Sequence, residues 1–147
     1  MTKKSTAKKS AKKLSKPSTA KSSPTKPKNP GFAPVFSALC GLLAPYQKQM
    51  ALKSTNADYY YLESREATYK GKPMFFAAVR AGKNYVSYHL MPVYGCPELL
   101  KDASPGLMKR MQGKACFNFT AVDKPLFAEL GRLTRAGYNK FKTLKYL

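Results

Sequence analysis

Acidic residues are scarce in this chain: seven of 147 positions, against twenty-seven lysines and arginines, for a formal charge of +20. That leaves little material for paired-carboxylate acid–base chemistry. Glu63 and Glu66 stand three residues apart, a separation that in a strand points two side chains to opposite faces. Histidine occurs once, at His89, and cysteine three times, at Cys40, Cys96 and Cys116. A structural zinc centre wants about four thiolate or imidazole ligands at short spacings, and these four residues are scattered. The odd, unpaired cysteine set also excludes a disulfide framework, so a reduced, cytoplasmic protein is expected. The "GKA" of Gly113 to Ala115 fails as a phosphate loop, with Met108 in place of the first glycine and Ala115 in place of the hydroxyl residue.

Long apolar runs are missing too. Asn29 to Gln47 is nearly free of polar side chains, carries no charge and follows a lysine-rich stretch, which loosely imitates a signal peptide or anchor. Pro34 and Pro45, however, bracket only ten residues, against the ~20 that a spanning helix needs. "SALC" resembles a lipoprotein cleavage site, but Leu39 before Cys40 is bulkier than such a site takes. The segment is expected to be a buried amphipathic helix, with no transmembrane span.

Lysine is what the chain has in abundance. Residues 1–30 hold ten of them, Lys3, Lys4, Lys8, Lys9, Lys12, Lys13, Lys16, Lys21, Lys26 and Lys28, with no acid and one large apolar residue, Leu14. Such a composition buries nothing that would offset the entropy of ordering, so this segment is expected to be a disordered basic tail. A flexible polycation displaces counterions from DNA or RNA, giving sequence-independent, salt-sensitive binding. No aromatic residue is interleaved for stacking. The same composition also suits a solvating tail, or one that meets anionic lipids or acidic proteins. Nucleoid association would follow from the nucleic-acid reading.

Residues 31–147 carry seventeen basic and seven acidic side chains, so this part is also +10. It is long enough for one core without a staple. Val35, Leu39 and Leu42, with Phe36 and Leu43, recur at helical spacing until Pro45. "QMALKS", "DYYYLES", "MFFAAVRA", "YVSYHLMP" and "KACFNFTA" read as strands, joined by Thr55 to Ala57, "KGKP" and "GKN". Ser104 with Pro105 opens a short helix in "SPGLMKRM". Asp123 caps a last helix in which Leu126, Leu130, Leu133, Gly137, Phe141 and Leu144 step by three or four. The fold class is therefore α+β, a mostly antiparallel sheet of about five strands with the N- and C-terminal helices packed on one face.

Strand alternation then sorts the side chains. Tyr60, Leu62, Phe75, Ala77, Val79, Val86, Tyr88, Leu90, Phe117 and Phe119 are expected under the helices. Tyr59, Tyr61, Glu63, Arg80, Tyr85, Ser87, His89, Cys116, Asn118 and Thr120 are expected on the uncovered face. Cys116 and His89 would come within reach there if their strands are neighbours, yet a nucleophile wants an elbow, a helix N-terminus and a third orienting group, and none is visible. Lys70, Lys72, Lys83, Lys109, Arg110 and Lys114 extend a basic surface from the tail onto the turns.

The stretches "KGKPMFFAAVRAGKNYVSYHLMPVYGCPELL" and "SPGLMKRMQGKACFNF" resemble the YdhG-like domain family, small bacterial domains mostly of unknown function. Some of its members are described as frataxin-like iron chaperones. The resemblance spans Phe32 to Lys142, and the tail resembles in composition the lysine-rich tails of linker histones. The resemblance implies a compact α+β domain, preceded here by residues 1–30, and iron delivery; the residues themselves leave two functions open. One is a non-enzymatic binding module without a cofactor, using Tyr59, Tyr61, Arg80, Tyr85, Ser87, His89, Cys116 and Asn118 for a small ligand or protein while the tail contacts nucleic acid. The alternative is an iron-binding chaperone using Glu63, His89, Glu98 or Asp102. Phe32 to Ala57 contains no Asp or Glu, and iron wants carboxylate oxygens, so charge favours the binding module.

Overall fold

A computed structural model describes residues 29–147; the tail lysines, Lys3 to Lys28, lie outside the described residues. Helix α1 (Ala33–Leu43) has Pro34 in its first turn, where no backbone donor is lost. It buries Val35, Leu39 and Leu43, one stripe at four-residue steps. Pro45 ends it through a tight 3-10 turn, Ala44–Tyr46.

Four antiparallel strands follow as a meander: β1 (Ala51–Thr55), β2 (Tyr59–Glu63), β3 (Phe75–Ala81) and β4 (Val86–Leu90). Between β2 and β3 sits a two-residue reversal whose Lys70 and Gly71 both have positive φ, 51° and 77°, the geometry that primed turns demand. After β4 the chain crosses through α2 (Met91–Gly95), a 3-10 turn (Pro97–Leu100) and α3 (Pro105–Met108). It then lays β5 (Met111–Gln112) on the sheet edge and turns back so that β6 (Cys116–Phe119) lies between β4 and β5. The sheet thus has six antiparallel strands in the order β1-β2-β3-β4-β6-β5.

Helix α4 (Lys124–Thr143) closes the chain, with the Asp123 carboxylate accepting from the Leu126 N–H at 3.1 Å. It packs beside α1 on the same sheet face. Phe127 meets Phe119 edge-on at 4.8 Å, and Tyr138 and Phe141 meet Phe76 at 6.0 and 6.4 Å. Gly137 allows α4 to approach α2, since a Cβ there would stand 2.7 Å from Pro92 Cβ. Deep in this layer the Tyr88 hydroxyl donates to Thr134 Oγ1 at 2.6 Å, while Thr134 donates to the Leu130 carbonyl at 2.8 Å.

The α+β class and the one-sided helix layer agree with the sequence reading; four details differ. Strand β4 stops at Leu90 and Met91–Gly95 is helical, because Pro92 has no N–H for a ladder and fits a first helical turn. Met111 leaves the short helix to join β5. In α4 the buried residue of the first turn is Phe127, not Leu126, and Leu144 caps the helix in solvent.

The fourth correction concerns Phe75. Strands β2 and β3 pair Leu62 with Ala77 but Glu63 with Phe75, so one extra residue is bulged at Phe76. Phe76 turns into the core, fully buried, and Phe75 turns to the uncovered face. Ser64 holds this irregularity. Its N–H donates to the Met74 carbonyl at 2.8 Å, its hydroxyl accepts from the Met74 N–H at 2.7 Å, and the same hydroxyl donates to the Glu66 carbonyl at 2.7 Å.

Two outcomes follow for stability. Ser64→Ala leaves the Met74 N–H without its acceptor and is expected to cost ~1–3 kcal/mol, measured by urea unfolding. Thr134→Val strands the buried Tyr88 hydroxyl, whereas Tyr88→Phe leaves Thr134 still bonded to Leu130. The valine variant should therefore be the less stable of the two; the reverse order in thermal melts would contradict this account of the pair.

Candidate uncovered sheet face

Opposite the helices, side chains line up in rows across the strands. One row runs Tyr61, Ala78, His89, Cys116, Gln112, and the next Tyr59, Arg80, Ser87, Asn118. Ala78 sits between Tyr61 and His89, and its methyl group leaves the space that two larger neighbours wall. The result is a depression of about 340 Å³, bounded also by Phe75, Arg80, Ser87 and Cys116. Of the eight residues expected to form the site, six line it: Tyr59, Tyr61, Arg80, Ser87, His89 and Cys116. Tyr85 and Asn118 lie beside it and border an adjoining hollow.

Phe75 and Ala78 complete the depression and were not among the expected site residues. Alternation alone places Phe75 in the core, and only the bulge at Phe76 reverses it. Phe75 stacks on Tyr61 with centroids 4.8 Å apart and meets His89 edge-on at 5.5 Å. The one local hint was the "FF" pair itself, of which a regular strand can bury only one member.

The polar groups of the face bond mainly to one another. Ser87 donates to Asn118 Oδ1 at 3.0 Å, and Asn118 Nδ2 donates to Gln112 Oε1 at 2.8 Å. Cys116 Sγ lies 3.1 Å from His89 Nδ1; in the Nε2–H tautomer the thiol donates to that nitrogen. Burial raises the Cys116 pKa and lowers that of His89. Both directions favour a neutral thiol beside a neutral imidazole over the thiolate–imidazolium pair that nucleophilic catalysis uses. The three cysteines are free thiols, and burial pushes the Cys40 pKa up to about 12.

The iron candidates are not brought together. Glu63 pairs with Lys53 at 3.7 Å on the uncovered side, while Glu98 pairs with Lys140 of α4 at 3.5 Å. Asp102 borders a separate hollow against α4, beside Ser104 and Glu129. There both Glu129 oxygens are engaged by Ser104, at 2.6 Å to its N–H and 2.7 Å to its hydroxyl. Among the described residues no three His, Cys, Asp or Glu side chains gather as a metal would require. No helix of the described residues is long and apolar enough to cross a membrane.

Comparison with known proteins returns no match among protein-family models, curated proteins or solved structures.

His89 supplies a pH test. Its folded pKa lies below the ordinary 6.5, so the unfolded chain binds a proton there first, and the stability that neutral His89 contributes is present above pH 6.5. That contribution is lost as pH falls from 6.5 through the folded value. In urea unfolding at stepped pH, His89→Gln should flatten the decline below pH 6.5; an equally steep decline would remove His89 as its source.

Proposed function

We propose that the protein is a non-enzymatic binding module of YdhG-like type, with the uncovered sheet face as its ligand or partner surface and the polybasic tail as a nucleic-acid contact. The observation that carries this reading is the contrast between the two sheet faces. One is closed by α1 and α4, and the other presents tyrosines, Arg80 and the Cys116–His89 pair around a 340 Å³ depression. The helix–meander–helix order supports the family reading. An open sheet excludes little water, and burial that raises the Cys116 pKa and lowers that of His89 works against an activated nucleophile, which favours binding over covalent chemistry. Iron carriage is the weaker reading, because Glu63 and Glu98 each already face a lysine and stand on elements that do not converge.

The tail's part rests on density: ten lysines without one acid over residues 1–30, a charge that gains by releasing counterions from any nucleic acid. On this reading the protein works where nucleic acid is abundant, in the cytoplasm or on the nucleoid. The test compares the full chain with one starting at Gly31 on duplex DNA across a salt series. The full chain is expected to bind with a steep inverse salt dependence, and the shortened chain at least ~10-fold more weakly with a shallower slope. Equal binding by both, or binding by neither, would sink the tail assignment.

A further inference from the structure

The uncovered face carries a row of rings as well as a depression. Tyr59 and Tyr61 lie nearly parallel, 14° apart with centroids at 6.1 Å, and Tyr61 and Phe75 are 20° apart at 4.8 Å. All three are half-buried, held on strands in one orientation and still reachable from solvent. Tyr61 and Phe75 cover one face of each other, and the ring surface left over walls the depression above Ala78, where an unpaired base can pack without regard to sequence.

Charge continues where the rings stop. The 340 Å³ depression shares Arg80 and Ser87 with a neighbour of about 260 Å³ that reaches Lys83. Tyr85 joins that one to a third, of about 280 Å³, bordered by Lys109 and Arg110. None of the residues lining the three hollows is acidic. Glu63, on β2 next to this track, is engaged by Lys53.

We propose that this track binds single-stranded nucleic acid, with a base set into the depression against Tyr59, Tyr61 and Phe75 and phosphates held by Arg80, Lys83, Lys109 and Arg110. The assignment rests on reading the uncovered face as the binding surface and adds what occupies it. A duplex keeps its base faces inside its own stack and has nothing to offer the rings. The chain's own tail is not the occupant, since ten lysines would meet cations of the same sign. An acidic peptide would meet the cations and leave the rings unused. Ser87, Asn118 and Gln112, three of the side chains able to read base edges here, are already bonded to one another, which favours binding that is tolerant of sequence.

The test uses the full-length protein with a short oligothymidylate, an abasic oligomer of equal length and charge, and a duplex, by fluorescence anisotropy. Oligothymidylate is expected to bind ~10-fold tighter than the abasic strand. Tyr61→Ser should remove most of that advantage without changing duplex affinity, and Arg80→Gln should lessen the salt dependence by about one phosphate contact. Equal affinity for the abasic strand, a comparison that needs no variant, overturns the proposal, as does unchanged binding in a Tyr61→Ser protein whose melting matches wild type. The tyrosine ring resonances separate the two readings of this face. If they move with oligoglutamate and not with oligothymidylate, the face is a peptide surface and the nucleic-acid assignment fails alone. If neither probe moves them, both readings fail.

Discussion

One extra residue in strand β3 governs both sides of the sheet. The bulge at Phe76 lets the consecutive residues Phe76 and Ala77 both face the helices, which sends Phe75 to the opposite side. Phe76 becomes the anvil on which Tyr46, Tyr138 and Phe141 rest, joining the 3-10 turn after α1 to the last turns of α4. Phe75 becomes part of the ring row with Tyr61 and closes the depression against His89. The helix layer and the open face therefore share one backbone irregularity, pinned by the backbone N–H and the hydroxyl of Ser64, both bonded to Met74.

The two faces differ in how polar groups are satisfied. In the helix layer the buried Tyr88 and Thr134 hydroxyls bond within a closed chain ending at the Leu130 carbonyl, as a dry interior requires. On the open face Ser87, Asn118 and Gln112 form a similar chain in partial contact with water, so they steady the surface. What remains available there is aromatic area and positive charge that, among the described residues, stands outside any ion pair. Those two features have different reach: charge acts across a Debye length of roughly 8–10 Å and falls with salt, whereas stacking acts only on contact. The proposed roles of tail and sheet follow from that difference, the tail for long-range attraction and the sheet for short-range holding.

Much of this architecture was legible in the residues. The helical steps of Val35, Leu39 and Leu43, the capping of Ser104 and Asp123, and the alternation in "YYYLE", "VSYHL" and "CFNF" all report local physics that the tertiary fold respects. That Cys116 and His89 share a face was legible for the same reason, whereas their contact depends on β6 returning beside β4 after the long crossover through α2, α3 and β5. Where a local rule was followed too far, the errors were confined to places where two rules compete. The β4 reading ran on into Met91 and Pro92 because apolar residues continue past the strand, and proline's missing donor ended it.

Composition and periodicity alone determined the fold class, the charge density of residues 1–30 and the membership of most of the open face, since each depends on residue type and spacing. Only the tertiary structure decided which of Phe75 and Phe76 goes inward, that Ala78 makes the floor of a depression, and that the acidic residues stay apart. A bulge arises from how Ser64 and Met74 close a loop against the neighbouring strand, and a depression from the sizes of residues brought together across three strands. Neither quantity exists until the strands are paired.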